Sequence, residues 1–222
     1  MITLHHLENS RSQRILWLLE ELGVDYEIKL YKRDAKTNLA PKELKAIHPL
    51  GKSPLITDDG QVVAESAVII NYLINKYDAD KKFSSSDAKS AQQADYWLHF
   101  AEGSMMPFLV MTLVFNKIKT APMPFFARPI ARKIADQVMN TFLAPNVENT
   151  LRYVEAHLSQ NTWFAGETMS AADFQMIFPL EAAMTRSDVA SKLPAINAWV
   201  KKVHALPAYQ AGLKKGGPYD YA

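Results

Sequence analysis

Hydrophobic residues change their spacing along this chain in a way that leaves few folds open. Strand-like and helix-like periods alternate as far as Tyr77, and beyond Ala88 only the helical period remains. Ile2, Leu4 and His6 alternate as in a half-buried strand, Ile15, Leu16, Leu18, Leu19 and Leu22 follow at helical spacing, and Gly23 supplies a stop. Tyr26, Ile28 and Leu30 alternate again, so strand, helix and strand fit within about thirty residues, the length of a βαβ unit. Lys42 to Ile47 predicts a short helix. Pro54-Leu-Ile56 and Val62-Val-Ala64 flank the turn signal Asp58-Asp-Gly60 and predict a hairpin. From Ser66 to Tyr77 the residues Val68, Ile69, Tyr72, Leu73 and Tyr77 share one helical face, which completes a βαβ, α, ββα order.

Asp78 to Ala88 is rich in Asp, Ser and Lys and interrupts the apolar periodicity, so the chain divides into an α/β domain at 1–78, a linker at 79–88 and an all-α domain at 89–222. Helical spacing recurs over Ala91 to Val114, Phe126 to Phe142, Val147 to Leu158, Ala171 to Ala183 and Ile196 to Leu206. Prolines 122, 124, 145, 194 and 207 are read as punctuation between these helices.

Composition narrows the chemistry. With 48% hydrophobic and 22% charged residues in 222, there is material for a buried core and no signature of disorder. Lys plus Arg (25) nearly balance Asp plus Glu (23), and a net charge of +2 gives no reason to expect nucleic acid or an anionic membrane as partner. The absence of cysteine removes disulfides, thiolate metal sites and a cysteine nucleophile, leaving hydroxyls, amides or the thiol of a ligand. Met1 leads directly into the first strand without a basic or long apolar leader, and no stretch is read as approaching a membrane span, so a soluble, cytoplasmic protein is expected. His99 and Glu102 lie three apart on a helix but lack a third ligand, so no metal is expected.

The segment His48-Pro-Leu-Gly-Lys-Ser-Pro54, with Glu65-Ser66 eleven residues on, suggests a site for an extended peptide. A proline suits the first residue of a strand, where no ladder donor is needed, and a cis bond before it would turn the Ser53 N–H and C=O outward to pair with a ligand. Ser66 and the first-turn N–H groups of its helix can receive a carboxylate, and Glu65 an ammonium, the two groups carried by one end of an amino acid. Lys52, Lys42 and Asn38 could meet a second carboxylate, though surface roles suit Lys42 and Asn38 as well.

Ser10, between the first strand and the first helix, would sit near the positive end of that helix, where a thiolate is favoured by the dipole and by a donated O–H bond. Ser10 or Ser12 would serve equally as an N-cap, worth about 1 kcal/mol. No Gly-x-Ser-x-Gly is present, so a hydrolytic serine is not expected. Ser170-Ala-Ala-Asp173 has the form of a capping box with Asp in place of Glu or Gln. Met105, Met106, Phe108, Met111 and Phe115 form an apolar surface that reads as core, part of which could receive a hydrophobic co-substrate.

Together these residues resemble the cytosolic glutathione S-transferase superfamily over nearly the whole chain. Ser10 to Leu22, Tyr31-Lys-Arg-Asp34 and His48 to Pro54 are similar to its serine-type fungal and bacterial branch. The resemblance implies a thioredoxin-like N-terminal domain followed by an all-helical C-terminal domain with a hydrophobic co-substrate site. It implies glutathione as co-substrate, with Ser10 holding its thiolate, Ser53 pairing with the cysteinyl part, Pro54 cis, Glu65 and Ser66 binding the γ-glutamyl end, and Lys52 in contact with the ligand. Asn9 is the alternative sulfur donor. The implied activity is transfer of glutathione to small hydrophobic electrophiles, in a detoxifying homodimer with the first domain of one subunit against the helices of the other, with reduction of organic hydroperoxides as a further reaction. A regulator or carrier of apolar ligands on the same fold is the rival reading.

Overall fold

The computed structural model describes residues 1–85, 87–186 and 192–222; Ser86, inside the expected linker, lies outside the described residues. The first part of the chain runs β1 (Ile2–Leu7), α1 (Gln13–Leu22), β2 (Tyr26–Tyr31), a 3-10 turn (Lys42–Ala46), β3 (Leu55–Asp58), β4 (Gln61–Ala64) and α2 (Ser66–Tyr77). The four strands form one sheet in the order β2-β1-β3-β4, with β1 and β2 parallel and the other neighbours antiparallel. This is the mixed sheet of a thioredoxin-like domain. Local chemistry places its corners. Gly23 ends α1 in the left-handed region at φ 63°, and Asp59 and Gly60, at φ 48° and 85°, make the two-residue turn whose twist suits a hairpin.

The second part is helical: α3 (Ala88–Phe100), α4 (Met106–Thr120), α5 (Arg128–Val138), α6 (Ala144–Leu158), α7 (Ala171–Arg186), α8 (Pro194–His204) and α9 (Pro207–Gly216). One expectation about its punctuation needs correction. Pro145 does not separate helices: α5, a π turn at Met139–Leu143 and α6 run on without interruption, and Pro145 lies in the first turn of α6. By contrast, the unbroken helical spacing expected from Ala91 to Val114 is found: α3, a π turn at Ala101–Met105 and α4 are continuous, with Pro107 in the first turn of α4. In both places the widened turn stands just before the proline and removes the need for the N–H that proline lacks. The resulting helix, Ala88–Thr120, is 33 residues long and by length and composition could cross a membrane. That overturns the expectation that no stretch approaches such a span.

Helix α9 was not expected from spacing. Its buried face is Tyr209, Gly212 and Gly216, so it docks on α1 through backbone rather than through an apolar stripe. A Cβ on Gly212 would meet the Trp17 N at 3.2 Å and the Leu16 carbonyl carbon at 3.3 Å.

One apolar core joins the two parts. Trp17 of α1 packs against Phe174 of α7 with ring centroids 4.4 Å apart, and Phe83 meets the same Phe174 at 5.1 Å. The Ser170–Asp173 pair lies at the head of α7. Asp173 accepts from the Ser170 N–H (2.8 Å) and from the Ser170 hydroxyl (3.1 Å), while its other oxygen accepts from the Phe164 N–H (3.0 Å). The Asp thus makes its half of the capping box and also ties down the preceding loop. Burial nevertheless pushes its carboxyl up to about 7 against these three donors.

Candidate active site

The turn from β1 into α1 is folded by its own polar groups. Asn9 takes the left-handed conformation at φ 47°, which asparagine tolerates better than most residues. Its carbonyl accepts from Arg33 Nη2 at 3.1 Å. Ser10 is buried, and its hydroxyl donates to the Leu7 carbonyl at 2.7 Å while its oxygen accepts from the Ser12 N–H at 3.2 Å. The Ser12 hydroxyl lies 2.8 Å from Ser10 Oγ and 2.9 Å from His6 Nδ1. Burial pulls the His6 imidazolium down to about 4, opposed by a hydrogen bond to the Gly216 carbonyl, so His6 is neutral near pH 7. A neutral His6 can accept the Ser12 hydroxyl at Nδ1. Ser10 therefore belongs to a buried network in which its proton points at backbone.

Ser53, Pro54, Glu65, Ser66 and Lys52 come together although they belong to different segments. The Ser53–Pro54 bond is cis and Pro54 is buried at the start of β3. The Ser53 hydroxyl donates to the His5 carbonyl at 3.2 Å. Glu65, exposed, holds φ 71° at the entry to α2, and Ser66, buried, is the first residue of that helix. All five residues line a cavity of about 670 Å³, together with Arg11 and Glu102. A second cavity of about 420 Å³ shares Arg11, Lys52 and Ser53 with the first. Its walls include Asn9 and Ser10 on the polar side, Met106, Val110, Leu113 and Phe178 on the apolar side. Of the apolar run singled out in the sequence, Met106 is the residue that reaches this cavity; Met105 is buried core. Asn38 lies by the second cavity, its carbonyl taken by Arg33 Nη1 at 3.2 Å, whereas Lys42 lines neither.

Arg11 and Arg14 were given no role by the sequence, and Glu102 was weighed only beside His99. Glu102, on the π turn between α3 and α4, accepts from Arg11 Nε on both oxygens (3.0 and 3.1 Å) and from Arg14 Nη2 at 2.6 Å. Arg14 is fully buried, and its Nη1 donates to the Gln175 carbonyl at 2.6 Å. Both guanidiniums stand 5.5 Å from the Phe178 ring. Burial opposes ionisation of Glu102, but Arg14 and Arg11 outweigh it and hold the carboxyl below its ordinary range. Glu102 is thus an ion-pair partner that straps α1 to the helical part, rather than half of a His99 pair. An arginine placed directly ahead of the apolar run Ile15 to Leu19 in α1 was the available signal.

Chemically, the arrangement offers a polar, charge-bearing cleft for an extended zwitterionic ligand beside an apolar cleft. The two meet at Ser53 and the head of α1.

Comparison with known proteins agrees with this geometry. Residues 1–75 match the family model described as glutathione S-transferase, N-terminal domain, and residues 120–207 match glutathione S-transferase, C-terminal domain. The chain is 40% identical over 217 residues to glutathione S-transferase 3 of Schizosaccharomyces pombe, covering 97% of this chain and 88% of that one. It is 38% identical over 223 residues to glutathione S-transferase 1 of Saccharomyces cerevisiae, covering 97% and 95%. Among solved structures, a glutathione S-transferase from Actinobacillus pleuropneumoniae superposes with a TM-score of 0.81 at 33% identity, over 100% of this chain and 95% of that one.

Proposed function

The chain belongs to the glutathione S-transferase family, and on that premise we propose that its two joined cavities hold glutathione and a small hydrophobic electrophile against one another. Glutathione lies extended in the larger cavity, its γ-glutamyl carboxylate on Ser66 and the N-terminus of α2, its ammonium near Glu65, its cysteinyl backbone against Ser53 and Pro54, and Lys52 beside its glycyl end. The sulfur then faces the head of α1, where the Ser10 hydroxyl turns from the Leu7 carbonyl to stabilise the thiolate. The electrophile packs on Met106, Val110, Leu113 and Phe178. Ionised sulfur attacks its carbon, a C–S bond forms, and the leaving group departs or the adduct takes up a proton. An organic hydroperoxide in the same place is the second class of substrate. The observation that carries this reading is the shared wall: Ser53, Lys52 and Arg11 border both the polar and the apolar cavity.

The working unit is a cytoplasmic homodimer, its domains at 1–78 and 89–222 with 79–88 between them. In favour of a second copy are the exposed Val114, Phe125, Phe126, Ile130 and Ile134 on and between α4 and α5. Sedimentation as a monomer at micromolar concentration would count against it.

The deciding experiment is an ultraviolet titration of the thiolate of glutathione bound to the protein. Ionisation well below the solution value of the thiol supports activation. Binding without that shift would favour a carrier, and absence of binding would remove the assignment of the cavity.

A further inference from the structure

The segment after α9 returns to the catalytic end of the molecule. Asp220 grips the side chain of Asn9 at two points, 211 residues away in the chain: Asn9 Nδ2 donates to Asp220 Oδ2 at 2.8 Å, and the Asp220 N–H donates to Asn9 Oδ1 at 2.9 Å. The residues on either side of Asp220 are anchored in the helical part. Tyr219 donates to Glu181 Oε2 at 2.5 Å, a carboxylate that is 1% exposed and also takes the Tyr209 hydroxyl and His204 Nε2. Tyr221 sets its ring edge-on against Phe178 with centroids 5.6 Å apart. Asp220 is therefore held between two fixed points, and Asn9 is held by Asp220.

Asn9 is the residue whose conformation this grip controls. It sits in the left-handed region, immediately before Ser10, and both amide atoms are committed to the tail. A left-handed residue relaxes readily toward extended or right-handed conformations when nothing holds its side chain. Rotation at Asn9 would swing Ser10 and the first turn of α1 relative to Ser53, because the chain passes from one to the other without a break.

We propose that Asp220 is a positioning residue for the reaction: by clamping the Asn9 amide it fixes the turn that presents Ser10 and the head of α1 to the glutathione sulfur. The inference rests on the reading of the adjoining cavity as the glutathione site. It concerns orientation, so its effect belongs to turnover rather than to glutathione affinity, which is set at Ser66 and Ser53. The backbone N–H of the clamp survives substitution of Asp220 by Ala or Asn, and an amide oxygen can accept the other bond.

The test is a mutant cycle on the full chain, with kcat measured at saturating glutathione and electrophile, and glutathione affinity measured separately. Asp220→Ala and Asn9→Gly, the latter keeping a residue at ease at positive φ, should each lower kcat on the order of tenfold, and the double variant should fall no further. Asp220→Asn should restore most of the rate, and glutathione affinity should stay within about twofold throughout. Unchanged kcat in Asp220→Ala overturns the proposal. So do losses that multiply in the double variant, or an Asp220→Asn as impaired as Asp220→Ala, which would assign the effect to charge. A wild-type protein that fails to bind glutathione overturns the parent reading and the proposal with it; a normal wild type with an indifferent Asp220→Ala overturns the proposal alone.

Discussion

The Ser10 hydroxyl and the Leu7 carbonyl, three residues apart, form a buried 2.7 Å hydrogen bond that closes the turn between β1 and α1. A serine so placed has a proton to redirect when a thiolate arrives, because a hydrogen bond to a full negative charge is stronger than one to a neutral carbonyl. Ser10→Ala is expected to lower kcat about ten- to hundredfold with little change in glutathione affinity. Steady-state kinetics in which affinity falls and kcat holds would reverse the roles given to Ser10 and Ser66.

At the other end of the cleft, Ser66 opens α2 beside Glu65. Ser66→Ala removes one hydroxyl from the carboxylate end of the ligand and should weaken glutathione binding about tenfold, with kcat at saturation preserved. Isothermal titration against free glutathione reads this directly, and equal affinities would remove Ser66 from the binding set.

Glu102 compensates a guanidinium that water does not reach, since the Arg14 side chain is fully buried. Glu102→Ala should therefore destabilise the protein by about 3 kcal/mol, largely through the charge left unpaired. The double variant Arg14→Met with Glu102→Leu should recover much of that loss, because no uncompensated charge remains. Urea unfolding distinguishes the cases, and a single variant no less stable than the double one would contradict the argument.

Acid stability should carry a contribution from Asp58. Burial raises its carboxyl, but hydrogen bonds from Lys76 (2.6 Å), Tyr77 (2.6 Å) and Tyr72 (2.8 Å) prevail and hold it at about 2. The folded-state value lies below the unfolded one of about 3.9, so the stabilisation is complete above about pH 4 and is lost as pH falls toward 2. Thermal melts of wild type and Asp58→Asn should differ at pH 6 and converge by pH 2; a gap that stays constant would exclude this linkage.

Gly212 lets α9 lie on the backbone of α1. Gly212→Val places a branched side chain where Trp17 N and the Leu16 carbonyl carbon are already within 3.3 Å of the first carbon, and neither can rotate away. A loss of about 1–3 kcal/mol is expected in denaturant unfolding. A midpoint equal to wild type would show that α9 can shift without cost.

Much of the fold is legible in local spacing. The β1–α1–β2 unit, the β3–β4 hairpin and α2 each carry their period and their stop within a few residues of one another, and backbone sterics act at that range. Pro145 was misread because the rule that proline ends a helix assumes an α ladder throughout, whereas a π turn in front of it absorbs the missing donor. Helix α9 gave no signal because its contact face consists largely of glycine, which has no hydrophobicity to repeat.

By itself, then, the amino-acid order determined the α/β-then-helical organisation, the family, and the short motifs from His48 to Pro54 and at Glu65-Ser66, all of which are encoded by neighbours in sequence. Only the tertiary structure decided that Arg14 pairs with Glu102 across 88 residues, that Asp220 holds Asn9 across 211, and that the Ser10 proton points at Leu7. Those relationships depend on side-chain rotamers and on which helix ends meet. Both are settled by close packing of the whole core rather than by local preference.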